Sequence, residues 1–64
     1  MDTRTAFITL DTRQVTAPEA VVANNQARQS REYDLNAYGK VGFALLSTVV
    51  VPQEDGIVIV DTLA

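Results

Sequence analysis

The sequence predicts a small α+β fold, ordered strand-helix-strand-strand and closed by a C-terminal β-hairpin, and three observations carry that expectation. Two apolar runs, VGFALLSTVVV at 41–51 and IVIV at 57–60, flank the turn-forming segment PQEDG. Thr16-Ala17-Pro18-Glu19 has the form of a helix N-terminal capping box and opens a polar stretch of helical composition. Near the N-terminus, RTAFITL alternates as a half-buried strand does.

The elements follow in order. In residues 4–10, Ala6, Ile8 and Leu10 fall on one face and Thr5, Phe7 and Thr9 on the other. Asp11 and Thr12 are expected to form a turn or bulge before a short continuation, RQVT. The triplet DTR occurs at 2–4 and at 11–13, and two copies do not make a repeat array. From Thr16, Ala17, Ala20, Val21, Ala27, Leu35 and Tyr38 fall near one helical stripe and Gly39 stands where a C-terminal cap would be; the helix itself is expected over 18–31, followed by a less regular segment to Gly39. Asn24, Asn25, Ser30 and Asp34 weaken that helix because their short polar side chains compete for backbone hydrogen bonds. The competing expectation is therefore an all-β fold with an extended polar arm over 24–36.

Residues 41–51 are apolar at both odd and even positions, the mark of a strand covered on both faces. Pro52–Gly56 reads as a five-residue hairpin loop with Gly56 in a left-handed conformation. Ile57–Val60 then pairs back.

Sixty-four residues form one small domain, 1–64, whose burial gain and ordering entropy come close to cancelling. Chains of this size are commonly stapled by disulfides or zinc. With no Cys and no His neither is available, which leaves oligomerisation or docking on a larger partner. A net charge of −3 provides no broad footprint for phosphate backbones or anionic lipid. A hydrophobic content of 47% with 20% charged residues argues against a disordered chain. Neither a signal peptide nor a membrane span is expected, so synthesis is expected in the cytoplasm, with a virion as one destination.

The residues offer little for chemistry. The usual general base and thiol nucleophile are missing, and Ser47 lies in an apolar strand outside any nucleophile-elbow motif. The acidic pairs Glu32/Asp34 and Glu54/Asp55 lack the spacing of a cation loop. No catalytic residue, cofactor or metal site is expected. Arg28, Arg31 and Lys40 lie near Tyr33 and Tyr38, a pattern that can stack on unpaired bases. Glu32 and Asp34 interrupt it, and an Arg28–Glu32 pair on a solvated helix face accounts for it better.

The expectation is therefore a non-enzymatic subunit or decoration- or cement-like accessory of a larger protein assembly, with a viral capsid as one setting. Its partner is protein, either self or another subunit. It would dock through Phe43, Leu45, Val49, Val51, Ile57 and Ile59, with backbone pairing at a free edge of the 57–62 strand. A regulatory or inhibitory binder of one partner is a second reading. A nucleic-acid-associated regulator using Arg4, Arg13, Arg28 and Arg31 is the third.

Overall fold

The computed structural model describes residues 6–64, which form three antiparallel strands and one long helix in the order β1 (Ile8–Val15), a 3₁₀ turn (Pro18–Ala20), α1 (Val21–Lys40), β2 (Leu45–Gln53) and β3 (Gly56–Leu63). The sheet order is β1-β3-β2. Both outer strands run antiparallel to β3 and hence parallel to each other, so α1 connects two strands that skip over the centre of the sheet. The α+β expectation holds; the polar-arm fold does not. The expected free edge on the last strand is corrected, because β3 is paired along its length on both sides. The parts of the first strand expected at Arg4 and Thr5 lie outside the described residues.

β1 runs straight through Asp11 and Thr12 instead of turning there. Alternation explains this: Asp11 stays exposed while β-branched Thr12 is buried opposite Ile59. At the far end, Thr16 does not cap a helix. Its N–H and its Oγ1 hydroxyl both donate to the Asp55 carbonyl, at 2.8 and 3.0 Å, which ties the exit of β1 to the hairpin turn. The helix begins uncapped after the 3₁₀ turn.

α1 is 20 residues long, well beyond the expected stop near residue 31. Its polar residues are what dock it. Asn24 mimics a neighbouring strand: its Oδ1 accepts from Val15 N–H at 2.8 Å and its Nδ2 donates to the Val15 carbonyl at 2.7 Å. Asn24, Ala27, Arg31, Leu35 and Tyr38 are all half-buried at three- and four-residue spacing, the period of one helix face. Val21, expected on that stripe, is 59% exposed.

The helix ends in a Schellman motif three residues later than Gly39. Phe43 N–H donates to the Tyr38 carbonyl at 3.0 Å and Gly42 N–H to the Gly39 carbonyl at 3.2 Å. Gly42 takes φ +100°, a conformation that glycine alone adopts freely. The apolar contact that accompanies the motif is Phe43 packed edge-on against Tyr38, with ring centroids 5.7 Å apart at 80°.

The hairpin turn is two residues, Glu54-Asp55, because Gln53 and Gly56 already pair. Gly56 has no positive φ. It is glycine for closeness: a Cβ there would lie 1.9 Å from the Gln14 carbonyl oxygen of β1.

Candidate assembly surface

Alternation along three paired strands sorts the sheet into two faces. One carries Leu10, Thr12, Ile57, Ile59, Asp61 and Leu63, with Thr48 and Val50 in register from β2. The helix lies over this face but leans toward β1, to which Asn24 and, through Gln14, Arg28 also bind. An open cleft lined by Arg28, Arg31, Glu32, Leu35 and Ile59 lies between the helix and β3. The other face has no covering element among the described residues. Val49, Val51, Val58 and Val60 meet there across β2 and β3, with Val15 on β1.

At the centre of the covered face is a polar clasp. Asp61 is 0% exposed and takes two hydrogen bonds from Arg31, Nε to Oδ2 at 2.7 Å and Nη2 to Oδ1 at 3.0 Å. Thr48 Oγ1 donates to Oδ1 at 2.7 Å. One carboxylate thus joins the helix, β2 and β3. The Arg31 hydrogen bonds hold the Asp61 carboxyl below its ordinary range, outweighing burial, and the same contact raises the Arg31 guanidinium. Both carboxylate oxygens accept from groups of the chain itself, so the fully buried group acts as a structural joint between three elements. Among the described residues, every buried side-chain nitrogen and oxygen has a partner.

Apolar burial is sparse by comparison. Leu63 is the one buried hydrophobic residue among those described. The chain exposes 4886 Å², against about 4,000 Å² expected for a globular protein of its mass. Its radius of gyration is 13.9 Å, against about 10.7 Å for a compact domain of this length. The Cα envelope is 11 Å at its thinnest.

β2 is the extreme case. Every residue of Leu45–Gln53 is exposed, although the strand contains LLSTVVV with no charge. Leu46, Val49 and Val50 remain 59%, 54% and 53% exposed, on both faces of an edge strand. Long uncharged apolar edges are what solitary sheet proteins avoid, since they offer unpaired backbone to other chains.

The six residues expected to form one surface are divided by the fold. Val49 and Val51 lie on the open face. Ile57 and Ile59 lie on the helix-covered face, half-buried. Phe43 is half-buried against Tyr38 in the link after α1, and Leu45 stands at a bulge that breaks the register between Leu45 and Ser47. Val58, Val60, Leu46 and Val50, which belong to the exposed apolar surface or the half-buried strip beside it, are not among the six. Parity against the buried Leu63 finds the two β3 valines, whereas the exposed edge requires the strand order.

The basic residues are largely engaged within the chain. Arg13 pairs with Asp55 at 2.9 Å. Arg28 donates to Gln14 Oε1 at 2.7 Å and to Asn25 Oδ1, and not to Glu32. Arg31 is held by Asp61, and Arg4 lies outside the described residues. Among the described residues no helix is long and apolar enough to cross a membrane, and no three acidic side chains converge as cation ligands. In comparisons with known proteins, no family model matches the chain and no curated protein or solved structure matches it significantly.

Proposed function

We propose that this protein is a non-catalytic structural subunit whose fold is completed by neighbouring protein, in the manner of a decoration or cement component of a larger assembly such as a capsid. The observation that carries the reading is β2, an uncharged apolar strand exposed along its whole length beside an uncovered valine face. Contiguous apolar surface of this kind marks contact sites, and a partner would supply the burial that one helix does not. The commitment of Arg13, Arg28 and Arg31 to internal partners favours this over the nucleic-acid reading. A soluble inhibitor of a single enzyme would also use the valine face, but it would have to persist as a folded monomer before binding, which a chain with so little buried apolar surface does poorly.

The test is Val49→Asp with Val60→Asp, which places carboxylates on adjacent strands of the open face. Light scattering should show loss of the assembled species. Assembly indistinguishable from the unsubstituted chain would reject the surface.

A further inference from the structure

We propose that the partner at the β2 edge is a second copy of this chain, paired antiparallel about Val49 to form one six-stranded sheet, β1-β3-β2-β2-β3-β1. This rests on the proposed role as an assembled subunit and names the occupant of that surface.

The argument begins with Pro52, which lies inside β2 opposite Ile57. A proline within a sheet puts its missing N–H on the solvent side of an edge strand. In an antiparallel ladder the N–H and C=O of one residue point to the same side, and successive residues alternate. Thr48 and Val50 therefore share the parity of Pro52 and present their backbone groups outward, while Val49 and Val51 bond β3.

A two-fold axis through Val49 matches those groups to themselves. Thr48 of one copy faces Val50 of the other, so each outward N–H meets an outward C=O, giving four backbone hydrogen bonds across two pairs. Ser47 meets Val51 on the open face by the same count, and Val49 meets Val49 as a close, non-hydrogen-bonded pair. Faces are preserved in every pair. Leu45–Gln53 carries no charge, so a strand laid against its own copy brings no like charges together. At the ends, antiparallel overlap carries the acidic Glu54-Asp55 turn of each copy toward the Lys40 end of the other, where Lys40 has no ion pair within the chain among the described residues. Pro52 and the bulge at Leu45/Ser47 then limit the ladder to the central residues.

β1, the other outer strand, is less suited. Its exposed positions include Asp11 and Arg13, and the backbone of Val15 is already taken by Asn24.

The absence of native cysteine allows a direct test by oxidising single-cysteine variants of the full chain. Val49→Cys should convert most of the protein to a disulfide-linked dimer, since the Cβ atoms meet at the axis. Val60→Cys should not, because three strand spacings, about 14 Å, separate the two copies of β3. Val50→Pro should abolish the non-covalent dimer, with circular dichroism reporting whether the chain stays folded. A cross-link in the Val60→Cys variant and none in Val49→Cys would overturn edge pairing in favour of stacked faces, leaving the subunit role intact. No cross-link from either variant, with the chain unfolded or aggregated alone, would overturn the second copy as partner while leaving a foreign neighbour. No cross-link with a stable folded monomer would overturn both.

Discussion

Arg31→Leu should be the most damaging single change on the helix. It removes both hydrogen bonds that neutralise Asp61 and leaves a carboxylate at 0% exposure with only Thr48 as a partner. Breaking one side of a buried ion pair costs about 3–5 kcal/mol. Because the Arg31 side chain is 29% exposed and water can follow it in, the lower end, about 3 kcal/mol, applies here. The total for a domain of this length is roughly 3–10 kcal/mol at typical stability per residue, so the variant should lose between about a third and all of it. The double variant Arg31→Leu with Asp61→Leu removes the charge together with its partner. Apolar replacement of a whole buried pair is commonly neutral or stabilising, so the double variant should recover most of the loss. Urea unfolding followed by circular dichroism at one fixed protein concentration measures all four corners of the cycle, and the coupling should exceed about 2 kcal/mol. A cost below about 1 kcal/mol for Arg31→Leu would show that Asp61 is solvated in solution and that the clasp does not join helix to sheet.

Three further outcomes follow from the same contacts. Because the Asp61 carboxyl sits below its ordinary range when folded, the unfolded chain binds more protons as pH falls. The contribution of this group is thus complete above the unfolded value of about 3.9 and is lost as pH drops through the lower folded value. The urea midpoint should fall across that acid window in the unsubstituted chain and fall less in Asp61→Asn. Gly56→Ala forces a Cβ to 1.9 Å from the Gln14 carbonyl oxygen, so β1 must separate from β3; a loss of about 1–3 kcal/mol is expected in the same unfolding assay, and an unchanged midpoint would contradict the close approach. Asn24→Ala leaves the Val15 N–H and C=O without their partner, costing about 1–3 kcal/mol and exposing the end of β1 to faster amide exchange.

Much of the fold is legible in the sequence because its signals are local. The hairpin follows from two apolar runs around Glu54-Asp55-Gly56, and the helix from composition after Thr16. What is not legible depends on contacts distant in sequence. The expected helix is too short because Asn24, Asn25, Ser30 and Asp34 count against a helix in isolation, whereas here Asn24 is satisfied by β1 and Arg31 ties the middle of the helix to β3. Thr16 reads as a cap because nothing in its neighbourhood reveals that the Asp55 carbonyl lies within reach. Gly56 reads as a turn residue because the nearness of β1 is tertiary.

β2 is the most instructive case. Apolar at both odd and even positions, it reads as a strand covered on both faces, yet it forms the edge of the sheet and is exposed at every residue. The pattern fits a strand covered from both sides, which is the environment β2 would have within an assembly. Asp61 follows the reverse logic: an acid directly after IVIV gives no local sign of burial, but the strand continues to Leu63 and buries it.

The most direct test of the central claim is the mass and fold of the purified chain across a dilution series, by light scattering with circular dichroism. If a neighbour completes the fold, the chain should be oligomeric when concentrated and should lose helix and strand signal together as it is diluted to monomer. A monomer that keeps its full signal and a concentration-independent unfolding midpoint at every dilution would contradict the account.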